Sequence, residues 1–222
     1  MARTRTLTEL IAEVRERGDF RAIRHPDADI TRRINQSIAE LYDLLVSVNQ
    51  DYFLDSDDIS VVSGTDSYSL DTAFFKVLGV DVQFGSNWYP VRKFQWAERN
   101  QYQDGGTSQR DVRYRIMGQK LYLRPTPRWS GTVRVWFIPA PTVLSAGSDT
   151  FDGISGWEEY VIVDCVIKGT LKDKEPADEW MAIKGQLAGR IRDLAAERDP
   201  GEPDRVRDVF GEYQDNPDYW TP

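Results

Sequence analysis

The segment from Asp27 to Tyr52 constrains the fold most, because its apolar residues recur at the period of an α-helix. Successive members are 4, 4, 3, 4 and 3 residues apart in the set Ile30, Ile34, Ile38, Leu41, Leu45 and Val48. They therefore line one face of a helix. Tyr42 and Leu44 widen that face, so we expect the helix to pack against more than one partner. Asp27 or Asp29 is the expected N-cap.

Three further segments carry the same helical period. The first is capped by Thr6 or Thr8, ends near Gly18 and has a face of Leu7, Leu10, Ile11 and Val14. A second starts near Trp157 after a cap at Ser155. A third follows the break at Glu175-Pro176 and runs from about 177 to 198, with a face of Trp180, Ile183, Leu187, Ile191 and Leu194. Three glycines are expected to permit close helix contacts: Gly169, Gly185 and Gly189.

Between the helical segments, roughly residues 55 to 142, the period changes to alternation. Strands are predicted at 59–62, 68–70, 74–82, 88–91, 112–118, 120–125 and 132–141, with turn residues such as Ser63-Gly64-Thr65-Asp66, Gly85-Ser86-Asn87 and Gly118-Gln119 between them. Short strands in meander order predict an antiparallel sheet or small sandwich. The fold class is therefore α+β. Residues 1–54 and 143–198 form a helical bundle, residues 55–142 an inserted β domain, and residues 199–222 a separate arm.

The composition limits the function classes. A formal charge of −8 over 222 residues argues against a protein that wraps nucleic acid, because phosphate binding needs a basic face. Cys165 is the single cysteine, so no intrachain disulfide can form. The N-terminus does not resemble a signal peptide, and no apolar run is long enough to span a membrane. We expect a protein made and kept in a cytoplasm-like compartment, with no membrane partner.

No group of residues has the specificity of an active site. His25 is the lone histidine and is expected to be a partly exposed loop residue, whereas Cys165 lies on an apolar helix face and should be an inert buried thiol. Asp55, Asp57 and Asp58 resemble half of a calcium loop, but no acid closes it, so a solvated turn is expected. We predict no catalytic residue, no metal ligand and no cofactor.

A mixture of basic and aromatic residues marks the predicted β domain. Alternation places four of them on the outer face of the sheet, namely Arg113, Arg115, Tyr122 and Arg124, and Trp129 completes the predicted contact face. Arg128, Arg134 and Trp136 belong to the same mixture. Such residues suit a nucleic-acid platform or a contact with protein. The overall negative charge of the chain favours a protein partner over a nucleic acid for this face.

The last 24 residues, 199–222, cannot form a core of their own. They hold seven acidic residues and two arginines, a net charge of −5, together with four prolines. Apolar and aromatic residues lie between these charges: Val206, Val209, Phe210, Tyr213, Tyr219 and Trp220. Bulky aromatics in a terminal segment indicate docking on a partner.

The order of these features resembles the head-to-tail adaptor proteins of tailed bacteriophages. The resemblance is carried by "ITRRINQSIAELYDLLV", "YSLDTAFFKVLGVDV", "VRYRIMGQKLYLRPTP" followed by "GTVRVWFIPAP", and "WEEYVIVDCVIKGTLKDKE". It implies a subunit of a homo-oligomeric ring, commonly twelve copies, that binds beneath the portal protein in the neck of the virion. It also implies contact with tail or nozzle proteins and a channel through which genomic DNA passes without specific binding. The terminal segment would then be the portal-binding arm of a protein made in the host cytoplasm.

Two other classes remain open from the sequence. A virion-associated cell-wall glycosidase would need two inward carboxylates beside a cleft, such as Glu158 and Asp164. A standalone β-sandwich module binding glycan or protein would be a stable monomer, and its residues 55–142 would fold and bind alone.

Overall fold

The computed structural model describes residues 4–70, 74–100, 111–151 and 157–196. Four α-helices occur in these ranges: α1 Leu7–Gly18, α2 Asp27–Val48, α3 Glu158–Asp173 and α4 Asp178–Ala196. A short 3-10 helix covers Trp96–Glu98. The strands are β1 Arg5–Thr6, β2 Asp55–Val61, β3 Ser67–Ser69, β4 Phe74–Phe84, β5 Asn87–Pro90, β6 Arg92–Lys93, β7 Arg113–Met117, β8 Lys120–Arg124, β9 Gly131–Pro139 and β10 Thr150–Phe151. The α+β class is thus confirmed.

The ends of α1 and α2 follow different capping rules. Thr6 caps α1 through a capping box, in which its hydroxyl accepts from the Glu9 amide and the Glu9 carboxylate accepts from the Thr6 amide. The prediction that Asp27 or Asp29 is the N-cap of α2 is wrong. Pro26 occupies that position in an extended conformation, and its carbonyl accepts from the amides of residues 29 and 30. The two aspartates lie instead in the first turn, where the helix dipole favours negative charge.

The predicted face of α2 lies at the centre of the helical core. Its isoleucines and leucines pack with α1 and α3 and with the linker residues Leu144 and Phe151. α3 is buried along most of its length, which explains why its sequence is apolar on every side. Strands β1 and β10 pair antiparallel and so join the start of α1 to this linker.

Only part of the predicted face of α4 is buried. Ile191 lies in the core, but Ile183 and Leu194 are 39% and 47% exposed. α4 contacts its neighbours along a narrow line, so the edges of its apolar stripe remain outside. Of the three glycines predicted to permit close helix contacts, only Gly169 has a close neighbour, and that neighbour lies in the connector between α1 and α2 instead of in a helix. A Cβ at Gly169 would overlap the Phe20 ring, whereas no atom outside the local chain lies within 4 Å of a Cβ placed at Gly185 or Gly189.

The β strands form a sandwich of two four-stranded sheets. One sheet has the order β2-β9-β4-β5 and the other the order β3-β8-β7-β6. The hairpins β4-β5 and β7-β8 are as predicted, but the meander is wrong, because β2 and β3 lie in different sheets and so do β8 and β9. The chain passes from one sheet to the other in the segments 62–66 and 125–130. These two segments run side by side, and the Gly64 amide donates to the Pro127 carbonyl at 2.7 Å. The β6-β7 pair is parallel.

Two separate sets of buried side chains result, joined by a small junction. The sandwich has its own core, which includes Val80, Leu121 and Val133. Tyr42 and Val46 of α2 pack with Ile138 of β9, and the Tyr42 hydroxyl donates to the Pro139 carbonyl. Strand β9 therefore belongs to the sandwich along most of its length and contacts the helical core at its end. In the described ranges, no helix has the length and apolar character needed to cross a membrane.

Candidate interaction surfaces

The outer face of the β3-β8-β7-β6 sheet carries four of the predicted contact residues. Arg113 and Arg115 flank the buried Tyr114, and Tyr122 and Arg124 flank the buried Leu123. Strand register places Arg113 opposite Arg124 and Arg115 opposite Tyr122. Alternation along adjacent strands therefore puts all four side chains on one face.

A further arginine extends this face. Arg92 of β6 is in register with Arg113 of β7, so Arg92, Arg113 and Arg124 form a row across three neighbouring strands. Strands lie about 4.8 Å apart, so this row is about 10 Å long at the backbone. The sequence analysis missed Arg92, because a two-residue strand that pairs in parallel leaves no alternation to detect.

Two of these arginines are held by defined contacts. Arg124 forms an ion pair with Asp66 at 3.0 Å. Arg115 donates to the Phe94 carbonyl at 3.1 Å, and its guanidinium lies 6.0 Å from the centroid of the Trp96 ring. Contacts of this kind orient an arginine while leaving other donors of its guanidinium available.

Trp129 does not belong to this face. It lies in the crossing between β8 and β9 and packs against the sandwich core. The expectation that it joins the contact face is therefore wrong. The segment 126–131 passes from one sheet to the other instead of turning back within one, which takes the indole away from the outer face.

The outer face of the opposite sheet has a different chemistry. Arg134 and Asp58 form a two-pronged ion pair at 2.7 and 2.9 Å, and the Arg134 guanidinium lies 4.2 Å from the centroid of the Trp88 ring. The Trp136 indole donates to Asp81 at 2.6 Å. The hydrogen bond from Arg134 lowers the pKa of Asp58. The sequence grouped Arg134 and Trp136 with the other arginines, but sheet pairing separates the two sets.

His25 is not the partly exposed loop residue expected from its position before Pro26. It is 1% exposed and stacks on Phe20. Its Nε2 lies 2.9 Å from the Asp173 carboxylate, and Arg33 lies 3.1 Å from its Nδ1. Because a guanidinium only donates, Nδ1 accepts from Arg33 and the proton lies on Nε2, which donates to Asp173. The hydrogen bond from His25 also lowers the pKa of Asp173.

A second buried polar cluster joins α2, α3 and α4. Asp164 is 2% exposed and forms ion pairs of 2.6 Å with Lys168 and with Lys184. Ser37 donates to the same carboxylate at 2.5 Å, and Glu40 contacts both lysines. Burial raises the pKa of Asp164, but the hydrogen bonds from the lysines and the serine outweigh it and leave the pKa below its ordinary value.

The remaining candidate residues have structural surroundings. Cys165 is buried as expected, and burial raises the pKa of its thiol to about 12, which disfavours the reactive thiolate. Residues 55–58 form the start of strand β2, so the predicted turn is wrong. The described ranges 4–70, 74–100, 111–151 and 157–196 hold no group of three His, Cys, Asp or Glu residues suited to a metal.

The predicted arm, residues 199–222, lies outside the described residues, and so does the Ser155 cap. The described surfaces carry arginine, tryptophan and tyrosine, which dominate contacts between proteins.

A model of the SU10 adaptor protein family matches residues 5–207. The match covers both cores and every described helix and strand. The chain therefore belongs to the SU10 adaptor protein family and is a phage adaptor protein, which implies a virion component of the neck region that contacts other virion proteins. No curated protein matches the chain.

Proposed function

We propose that the protein is the head-to-tail adaptor of a tailed phage. It forms a ring of twelve copies beneath the portal, extends the DNA channel and presents the attachment surface for tail or nozzle proteins. The observation that carries this proposal is the family match over residues 5–207. The protein is made in the host cytoplasm before it joins the virion.

The two faces of the sandwich support a ring. Copies arranged around a ring meet through two different surfaces of each subunit. One outer face presents the row Arg92, Arg113 and Arg124, and the other presents Trp88 and Trp136 with Asp58 and Asp81. Unlike faces on opposite sides of one sandwich suit such head-to-tail contacts.

The overall charge of −8 supports a channel that DNA passes without binding, because like charge repels the duplex. The proposed division of the chain is into a helical domain of residues 1–54 and 143–198, an inserted β domain of residues 55–142 and an arm of residues 199–222. The separate cores of the helices and of the sandwich support the first two.

The cell-wall glycosidase is less well supported. A general acid must hold a proton near neutral pH, and therefore needs a raised pKa. Asp164, one of the two carboxylates considered for that role, has a lowered pKa because lysines neutralise it. An assay on peptidoglycan fragments tests this alternative directly.

Electron microscopy of the purified protein with and without its cognate portal tests the proposal. We expect rings on the portal, and a free protein that is monomeric or weakly associated, because a ring closed before DNA packaging ends would be unproductive. Light scattering checks the free state. A stable ring at micromolar protein without portal would contradict this order of assembly, and a failure to bind the portal would contradict the adaptor role.

The arm is proposed as the portal anchor. Its six apolar and aromatic residues, from Val206 to Trp220, would dock on the portal, and twelve copies would multiply a weak contact through effective concentration. Deletion of residues 200–222 should leave the melting temperature nearly unchanged and abolish portal binding. An arm with the same composition in scrambled order is the control. Normal assembly of the truncated protein on portals would refute the anchor.

A further inference from the structure

The outer face of the β3-β8-β7-β6 sheet is basic, although the protein as a whole has a net charge of −8. Its outward residues include five cations: Arg92, Arg113, Arg115, Lys120 and Arg124. We call these five residues the arginine face. Asp66 pairs with Arg124 at the edge of this face. A surface with this excess of positive charge attracts an anionic partner.

We infer that, in the free protein, the acidic segment 199–222 binds the arginine face of its own chain. The segment carries a net charge of −5, opposite in sign to the face and similar in size. This contact goes beyond the proposed function, because it requires no portal. A portal that binds the same segment would have to displace it from the face.

Apolar residues on both sides add to the charge complementarity. Tyr122 and Met117 lie among the cations of the face, and Trp96 lies next to Arg115 with half of its surface exposed. The segment alternates its acids with Val, Phe, Tyr and Trp. Aromatic and apolar contacts beside ion pairs supply affinity that exposed charges alone do not, because water and salt weaken the charges.

The chain is long enough for the contact. Twenty-six residues follow the end of α4 at Ala196, and an extended chain covers at most about 3.5 Å per residue, or about 90 Å. A segment joined to the face by the same chain also acts at a high effective concentration. This favours the protein's own segment over a DNA duplex, which the overall negative charge repels.

A spin label on the segment tests the inference in the full-length protein. Cys165 is buried, so a nitroxide attaches selectively to the introduced thiol of Thr221→Cys. We expect the label to broaden the amide signals of 113–117 and 120–124 at about 50 mM salt, and much less at about 0.5 M salt, where the screening length is far shorter. The broadening should not depend on protein concentration.

Charge variants locate the contact. In the labelled protein, Arg113→Gln with Arg124→Gln should lose most of the broadening. Arg134→Gln is the matched control, since it removes the same kind of charge from the opposite sheet and should keep the broadening. Replacing Asp204, Asp208, Glu212 and Asp215 by their amides should have the same effect as the double arginine variant. Circular dichroism verifies that each variant is folded.

Three outcomes would overturn the inference. In the first, the label broadens no amide signals, or broadens those of a different face. In the second, the broadening grows with protein concentration, which means that it comes from a second copy. In the third, a 20-base-pair DNA duplex shifts the amide signals of the arginine face while the label leaves them unchanged. The face would then be a phosphate-binding surface. None of these outcomes involves the portal, so they are distinct from a failure of the adaptor proposal.

Discussion

The helical core and the β sandwich differ in where their charged groups lie: some are buried in the helical core, whereas those of the sandwich lie on its outer faces. In the described ranges, all the buried polar and charged side chains belong to the helical part: His25, Arg33, Ser37, Glu158, Asp164 and Thr170. The sandwich core is apolar, and its arginines and aspartates lie on the two outer faces. The buried charges of the helical part therefore act within the fold, whereas the charges of the sandwich lie on its surface.

This difference has a physical reason. Apolar stripes on helices specify that the helices pack, but ridges and grooves permit several rotations and shifts. Asp164 can meet Lys168, Lys184 and Ser37 together in only one arrangement of α2, α3 and α4. In the sandwich, backbone hydrogen bonds and side-chain alternation already fix the register. Its outer charges are not needed for that purpose.

The largest expected effect comes from a charge placed in the helical core. Ile38→Asp buries a carboxylate without a partner and should destabilise the protein by about 4 kcal/mol or more, enough to unfold the helical part. Thermal melting followed by circular dichroism measures it.

Ile183→Asp is the control, because Ile183 belongs to the apolar stripe predicted for α4 but is 39% exposed. Its effect should stay below about 1 kcal/mol. Equal losses in the two variants would contradict the packing of α4. If Ile38→Asp melts like the parent protein, the position of α2 is wrong.

The polar cluster should give the next effect. Asp164→Asn removes the charge that Lys168 and Lys184 share, and should cost about 2 kcal/mol near neutral pH, since the lysines are partly exposed and retain Glu40. Urea unfolding measures this cost, and Glu40→Gln, at an exposed carboxylate, should cost less.

The cost should depend on pH. The folded state lowers the pKa of Asp164, so this carboxylate stabilises the protein above its ordinary pKa, and the contribution disappears as the pH falls through the folded pKa. The difference between the parent protein and Asp164→Asn should therefore shrink in acid. A difference that is constant from about pH 7 to pH 3 would show that the ion pairs are not its source.

Substitution of two glycines by alanine should change the stability of the protein in opposite directions. Gly169→Ala forces a Cβ against Phe20, which is itself packed on His25, and should destabilise by about 1 to 3 kcal/mol. Gly185→Ala meets no neighbour and should stabilise by up to about 1 kcal/mol, because alanine favours helix. Melting temperatures decide the signs. Destabilisation by Gly185→Ala would indicate that this face of α4 is covered.

The smallest effect is expected on the outside of the sandwich. Arg134→Gln removes a surface ion pair with Asp58 and should leave the free energy of unfolding nearly unchanged, because water screens such pairs. The carboxyl pKa of Asp58, measured by NMR titration, should rise toward its ordinary value once Arg134 is gone. A stability loss as large as that of Asp164→Asn would remove the contrast between the two regions.

Local sequence determined the elements. The period of α2, the capping box at Thr6 and the alternation of Arg113, Arg115, Tyr122 and Arg124 each depend on neighbours a few residues away, and all are found in the structure. The α+β class and the burial of Cys165 follow from the same local patterns. The predicted arm lies outside the described residues, so its role stays a prediction.

Tertiary structure decided which elements meet. Whether β2 pairs with β3 or with β9 depends on residues 70 to 82 positions apart, and alternation is the same in both arrangements. The buried His25 bonds to Asp173, which is 148 residues away in the sequence. The row from Arg92 to Arg124 depends on a parallel strand pairing, which no turn in the sequence predicts. Periodicity shows which face of an element is apolar, but long-range pairing selects the partner that covers it.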